Sequence, residues 1–553
     1  MTDRPTPAAP PVEWRWSVAL FLVALVVRAI HVRSMQKGPY FFYPVMDAFT
    51  YREQAIAVAS GHGHPDVVFY QPPGYSYFLA ALYSLWPGAY APRVVQCVLG
   101  AGCAVLTQRL GSRYFGAWVG IASGFAVALY GLLIWFDGEL LTPTLALFLL
   151  LSAMLLAAHA AEAKDSRLWG LSGFVIGLAC TVTGTFPFVM LALAPFARRR
   201  APIFLLAAAL AISPVTLRNR IHGGEWVPLS YNAGLAFFVG NNAHADETSA
   251  ARSAAAWRRI NSPPEASALH SYSATSANYF RHSLRFARAF PGQYVALQFR
   301  KALQFIGGNE IPRNQQIYTA RQTSWILWLL LWKIPGLAFP YGLVFPLALA
   351  GLVFRCKRAL PLAVAVTTLS LLTIAFFVTA RYRSPAIPFF CIFAAEGVRW
   401  FWQEARARQR VLFGAILLPA LLASNLNQGP MATTEFPDTE ILRAYQLNLE
   451  GKAPAAVEAL TPVVEHDPKN GEAWTELGVS RSALGQFPQA AQAFQRGLSL
   501  WPEDERAMMG LGLARERLGD PVAARALYER TLKLDPNNAF ARARLAQLQA
   551  GPR

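Results

Sequence analysis

Asp47 opens the polar stretch Asp47-Ala48-Phe49-Thr50-Tyr51, just beyond the first apolar run of the chain, and Gln71-Pro72-Pro73-Gly74-Tyr75 follows it. Two further acids, Asp137 and Glu139, come directly after Trp135-Phe136 at the end of another apolar run, and Arg381-Tyr382-Arg383 ends a third. Arg93 and Arg218 are single cations at the margins of similar runs. Carboxylates exchange protons and guanidinium groups grip anions. Placing both types where hydrocarbon-length segments end points to chemistry at a membrane surface. His62, His64 and Asp66 invite a metal reading, but Gly63 and Pro65 make that stretch a turn, and no further ligand is identifiable nearby. The five cysteines show no metal-ligand spacing and the large polar segments contain none, which disfavours both a zinc site and a disulfide framework. A phosphate-cradling glycine loop, a nucleophile elbow and a nucleotide signature are not found, so a nucleotide-sugar donor is disfavoured.

These residues must be positioned by a largely apolar chain. Of 553 residues, 54% are hydrophobic and only 15% are charged, the pattern of a polytopic membrane protein. The formal charge of +18 does not imply nucleic acid, because much of the excess sits in short clusters between apolar runs. Eleven runs read as spans: residues 16–32, 92–110, 115–135, 140–160, 168–184, 185–197, 201–217, 336–354, 360–379, 385–402 and 411–425. The fifth and sixth are short, and one bent hairpin is an alternative for that pair. The first run lacks a small-residue cleavage signal and reads as a retained anchor. Arg109 and Arg113, Lys164 and Arg167, Arg198 to Arg200, Arg355 with Lys357 and Arg358, and Arg406, Arg408 and Arg410 alternate onto one side, which the positive-inside rule makes the cytoplasm. The N-terminus is then inside and the C-terminus outside. Residues 34–91, 218–335 and 426–553 fall outside, with Asp47, Asp137, Glu139 and Arg381 to Arg383. Within 34–91, the spacing of Asp47, Tyr51, Ala55 and Val58 predicts a helix ended by Gly61, and a second is expected from Tyr75 to Leu85. Both suit a membrane surface.

The tail repeats itself. Gly451, Gly485 and Gly519 are 34 residues apart, as are Ala456, Ala490 and Ala524, and Pro468, Pro502 and Pro536. That period is the tetratricopeptide signature, best formed by Trp474-Thr475-Glu476-Leu477-Gly478 through Phe494 to Pro502. Such stacks offer a concave surface to peptides or partner proteins; the plainer alternative is that they only stabilise the outer domain.

Residues 16–425 resemble the polyprenyl-phosphate-dependent glycosyltransferases of the GT-C fold, the family holding protein O-mannosyltransferases and bacterial aminoarabinose transferases. The resemblance is carried by Asp47-x3-Tyr51-x3-Ala55 with Gly61, Pro72-Pro73-Gly74-Tyr75, Glu139-Leu140-Leu141-Thr142-Pro143 and Pro214-Val215-Thr216-Leu217-Arg218-Asn219. Gly240-Asn241-Asn242, Glu310-Ile311-Pro312-Arg313-Asn314 and Arg381-Tyr382-Arg383-Ser384-Pro385 complete it. The chain departs from many relatives in having Asp47-Ala48 instead of Asp-Glu, and Thr183-Gly184-Thr185 where an Arg-Pro pair is often found.

The resemblance implies a mainly α fold: a polytopic GT-C-like domain over residues 1–425 followed by an α-solenoid of tetratricopeptide repeats over 426–553. It also implies transfer of a hexosyl or pentosyl group from a polyprenyl-phosphate donor to an acceptor on the outer face of a bacterial inner membrane. The leaving phosphate is already anionic and needs no acid, so one carboxylate suffices as base, unlike the pair usual in glycoside hydrolysis. Asp47 is the candidate base, and direct displacement would invert the anomeric centre; capping the following helix, or an ion pair, is its alternative role. Asp137 and Glu139 are open to orienting the acceptor, binding a divalent cation with Asp47, or pairing with an arginine. Arg381, Tyr382 and Arg383, with Arg93 and Arg218 behind them, are candidates for the donor phosphate, or alternatively anchors for lipid headgroups. The repeats are expected to recruit a protein partner or acceptor. Two rival readings are a transporter or flippase for a lipid-linked sugar, which would need ionisable groups deep in the spans, and a non-catalytic scaffold displaying repeats. Mid-span charges look scarce, with Arg28 placed near the end of its run.

Overall fold

The computed structural model describes residues 14–36, 38, 40–42, 44–245, 249, 271–313, 317–426, 438–534 and 538–549. They fall into two compact units, one ending at 426 and the other beginning at 438. Both are helical. The strands among the described residues are one short antiparallel hairpin, Trp332–Ile334 with Leu337–Phe339, in which Trp332 lies opposite Phe339.

In the first unit the helices are α1 (Trp14–Met35), α2 (Asp47–Ala59), α3 (Gly74–Leu85), α4 (Tyr90–Phe115), α5 (Ala117–Ala128), α6 (Gly131–Gly138), α7 (Pro143–Ala163), α8 (Ser166–Val182), α9 (Phe186–Leu193) and α10 (Ala201–Gly223). Later helices include Tyr272–Ala289, Pro291–Ile306, Tyr341–Arg355, Leu360–Ala375, Ile387–Gln403 and Ala407–Leu426. Each of the eleven stretches expected to span contains a helix, although 336–354 opens on the second strand of the hairpin. Six helical segments are long and apolar enough to cross a bilayer, or seven if α5 and α6, bent by 51°, make one span. The expectation of eleven exceeds this count for two reasons. Ser166–Val182 and Ile387–Gln403 are each 17 residues long, and the runs 186–223 and 341–375 each continue through a 3-10 turn instead of separating cleanly. At Arg198 the backbone breaks (φ 50°, ψ −124°), so α9 and α10 are distinct helices within such a run.

The basic turns lie beside one another. Arg200 donates to Ser166 Oγ at 3.0 Å and to the Lys164 carbonyl, and Arg113 donates to the Ala158 carbonyl at 2.7 Å. Around them the core is a continuous apolar cluster running from Leu20 in α1 to Ala394. The two helices expected in the first outer segment form as α2 and α3 and pack on each other. They do not merely rest on a surface: Tyr51, Ala55, Tyr75 and Leu79 are buried in the same core.

The second unit is three helix pairs and a closing helix, Ala539–Gln549. Each pair turns at a glycine of the 34-residue period, with φ of 72° at Gly451, 73° at Gly485 and 80° at Gly519. Only glycine adopts that conformation without strain. Asn470 and Asp504 cap the first helices of the second and third pairs through their side chains. Because nothing lies within 4 Å of a Cβ added at Gly485, a substitution there should cost backbone strain alone. Gly485→Val is expected to destabilise this unit by about 1–2 kcal/mol. Limited proteolysis of the full chain would show it as roughly tenfold faster cleavage among the repeats.

Candidate functional site

Asp47 is the first residue of α2, after Met46 with φ 55° and ψ −126°. A methionine held in that region stores roughly 1–3 kcal/mol of strain. Its consequence is to start the helix at Asp47 with no side-chain cap. Met46 holds the N-cap position in place of Asp47, and the Asp47 carboxylate instead turns to Arg381, the ion pair that is the other part of its alternative role. Arg381 NH1 meets Asp47 Oδ2 at 2.5 Å, and NH2 donates to the Tyr51 hydroxyl and to Thr142 Oγ, both at 3.1 Å. Two segments distant in sequence, α2 and the turn at Thr142, thus converge on one guanidinium.

The cluster is partly covered: the Asp47 side chain keeps 31% of its exposure and Arg381 keeps 10%. Burial pushes the Tyr51 phenol up to about 12, with Arg381 opposing and Asp47 reinforcing, so the hydroxyl stays protonated. Burial alone would lower the Arg381 guanidinium, but Tyr51 and Asp47 more than offset it and hold it above its ordinary value.

Behind Tyr51 the scaffold is explicit. Its ring meets Tyr75 of α3 edge-on at 5.1 Å. The Tyr75 hydroxyl donates to Gln96 Oε1 at 2.5 Å, and Gln96 Nε2 donates to the carbonyls of Asp137 (3.0 Å) and Glu139 (2.7 Å). Arg93 Nε donates to the Gly138 carbonyl at 2.8 Å. The outer turn at 137–142 is therefore held by α4 through its backbone, which sets Thr142 against Arg381.

The sequence-predicted residues separate into three groups. Asp47 and Arg381 come together. Arg383, two residues on, faces the other way: buried, it pairs with Glu310 at 2.6 Å, donates to the carbonyls of Gly307 (2.7 Å) and Asn309 (2.8 Å), and lies 3.6 Å over the Tyr341 ring. Tyr382 packs its ring on Phe377 at 5.0 Å. Arg218 donates to the carbonyls of Val67 (2.8 Å) and His64 (3.2 Å) and covers Phe69, strapping the first outer segment.

Asp137 does not approach Asp47. Its two oxygens accept from Arg28 Nε at 2.6 Å and Thr144 Oγ at 2.7 Å, while Arg28 NH1 also donates to the Ala128 carbonyl at 2.9 Å. Gly100 makes room for the pair, since a Cβ there would collide with Asp137 Oδ2 and Arg28 Nε. Arg28, near the end of its run as expected, is thus a buried and paired charge. Glu139 is buried within electrostatic reach of Arg93. The second outer turn reaches the site by Thr142, not by its acids.

His64 and Asp66 form a local turn in which His64 Nδ1 accepts from the Asp66 amide at 3.2 Å. No cluster of three or more His, Cys, Asp or Glu side chains is placed to hold a metal among the described residues. Gly240 and Asn241 serve the structure: Lys301 Nζ donates to the carbonyls of Gly240, Ala375 and Phe376 and to Asn241 Oδ1, at 3.0–3.1 Å. Asn314 lies outside the described residues. Sequence reasoning passed over Thr142, Tyr51 and Glu310 as site residues, although all three belong to the motifs quoted above. It had no signal for Gln96, a lone amide in an apolar helix.

A family model for the tetratricopeptide repeat matches residues 475–539. Among solved structures, ArnT from Cupriavidus metallidurans bound to undecaprenyl phosphate is similar at 15% identity, covering 93% of this chain and 80% of that one, with a TM-score of 0.42. The Archaeoglobus fulgidus oligosaccharyltransferase in its apo form is similar at 13% identity and a TM-score of 0.41, over 78% of this chain; the match spans 60% of that longer protein. The first repeat domain of Spaghetti (RPAP3) bound to an HSP90 peptide matches 21% of this chain at 24% identity, with a TM-score of 0.20. No curated protein matches the chain. Likeness at these scores carries no functional argument, which rests on the residues themselves.

Removing one member of a buried ion pair leaves the other uncompensated, at a cost of about 3–5 kcal/mol. Asp137→Asn should therefore sharply reduce the heat-resistant monodisperse fraction in detergent-phase size exclusion, and adding Arg28→Met should restore most of it. A single variant as heat-stable as the parent would refute the clamp.

Proposed function

We propose that the chain is an integral membrane glycosyltransferase that moves a sugar from a polyprenyl-phosphate donor to an acceptor at the outer face of a bacterial inner membrane. The observation that carries this reading is the Asp47–Arg381 contact, a carboxylate and a guanidinium held together at the margin of the apolar body and still reachable from outside. The reaction needs those two groups. As the acceptor oxygen bonds to the anomeric carbon, its proton passes to the Asp47 carboxylate, and the bond to the phosphate oxygen breaks with its electron pair. Arg381 takes up the charge on the departing phosphate. Attack opposite the leaving group inverts the anomeric centre.

In the resting protein the two groups neutralise each other. A phosphate arriving at Arg381 competes for the guanidinium and releases the carboxylate to act as base. Tyr51 and Thr142, which share Arg381 NH2, keep the arginine in place when Asp47 lets go. The repeats recruit the acceptor or a partner protein.

Asp47→Asn should insert normally and lose about 10²–10⁴-fold in transfer rate. Arg381→Lys keeps the charge but not the bidentate fork, so weaker donor binding is expected to exceed the loss in turnover. Both are read from glycolipid and glycoprotein profiles of cells carrying each variant, beside wild type and a deletion. A product absent in the deletion yet fully retained in Asp47→Asn would remove Asp47 from the mechanism and favour a scaffold acting through the repeats.

A further inference from the structure

Between the C-terminal halves of α2 and α3 and the start of α4 lies a second concavity of about 590 Å³, large enough for a small-molecule headgroup. It is lined by Arg52, Ser60, Tyr83, Ser84, Arg93 and Phe41, among others, while Asp47, Tyr51, Thr142 and Arg381 lie outside its wall.

Its wall is cationic. No described lining residue is acidic, and the guanidinium groups of Arg52 and Arg93 act on each other and on Tyr83 through space, while the acids that act on them, Glu139 and Glu53, lie outside the wall. Arg93 is buried and fixed: Nε is bonded to the Gly138 carbonyl, NH1 to that of Ala89 at 2.6 Å, and its face lies 4.2 Å from the Phe41 ring. Its NH2 nitrogen has no hydrogen bond within the described residues. Arg52 spends only NH1, on its neighbour Glu53, in an exposed pair of the kind that contributes little. Two cations with donors to spare, one of them rigid, make a site for an anion with several acceptor oxygens.

The rim indicates where that anion comes from. Phe42, Leu85, Trp86 and Tyr90 are exposed apolar residues around the mouth, and Tyr90 begins a hydrocarbon-length helix. Aromatic side chains of this kind settle at headgroup depth. We propose that this cavity binds the phosphate of an amphiphile, as a subsite separate from Asp47 and Arg381. The shared chemistry is a phosphate ester, whose source is either a membrane lipid or a soluble phosphorylated molecule.

The test uses the full chain in detergent, with native mass spectrometry counting retained phosphatidylglycerol against phosphatidylcholine. Arg52→Glu reverses a charge at a surface position and Ser84→Trp fills the cavity. Each should weaken phosphatidylglycerol retention at least about tenfold. Glycerol 1-phosphate added in competition separates the sources: displacement assigns the site to soluble esters as well, and no displacement assigns it to lipid. Equal retention by wild type and both variants, or phosphatidylcholine held as tightly as phosphatidylglycerol, would overturn the proposal. Neither result bears on the transfer reaction, so this inference and the transferase reading fail independently.

Discussion

A charge inside an apolar body has to be matched where it stands, and much of the first unit is arranged around that requirement. Arg28 and Asp137 satisfy each other between α1 and α6, with Thr144 taking the second carboxylate oxygen and Ala128 a further guanidinium proton. The turn at 137–142 cannot leave this position without separating two buried charges. Gln96 and Arg93 then hold the backbone of that turn from α4. The placement of Thr142, and through it one of the three hydrogen bonds made by the Arg381 fork, follows from an ion pair between Arg28 and Asp137, neither of which bonds to Arg381.

The two arginines of the Arg381-Tyr382-Arg383 triplet show how a short helix divides labour. Arg383 points inward and spends its donors on Glu310 and three carbonyls, which fixes the triplet. Arg381 points outward to a carboxylate that keeps contact with solvent. Burial costs are borne at the first so that the second can be held at the margin with its partner reachable. The Ala380 amide, bonded to the Ile311 carbonyl at 2.8 Å, closes the seam between the triplet and the Glu310 segment.

Much of this was legible from residue order. Apolar runs gave helices at all eleven expected places, the spacing after Asp47 gave α2, and the 34-residue period gave the repeats with their glycine turns. The pairing of Asp47 with Arg381 was reachable only as two separate candidates, because 334 residues lie between them. Other features were hidden for definite reasons. Hydropathy averages over windows, so it placed Arg28 near the end of its run without showing that it pairs with Asp137. Composition cannot tell a carboxylate facing water from one facing an arginine, so Asp137 and Glu139 ranked above Thr142. Bends such as the one between α5 and α6 leave no mark on an apolar count, so the run 115–135 read as one straight span where the helix turns by 51°.

Lys301 ties the outer helix Pro291–Ile306 to the last carbonyls of Leu360–Ala375, five residues before Arg381. An ammonium clasped by four oxygens is a pivot pin more than a glue: its donors swivel, while its distance to every acceptor stays fixed. Lys301 at one end and Arg381 at the other thus bracket the segment 376–380, so the stretch of chain that ends at the candidate site begins at a clasp.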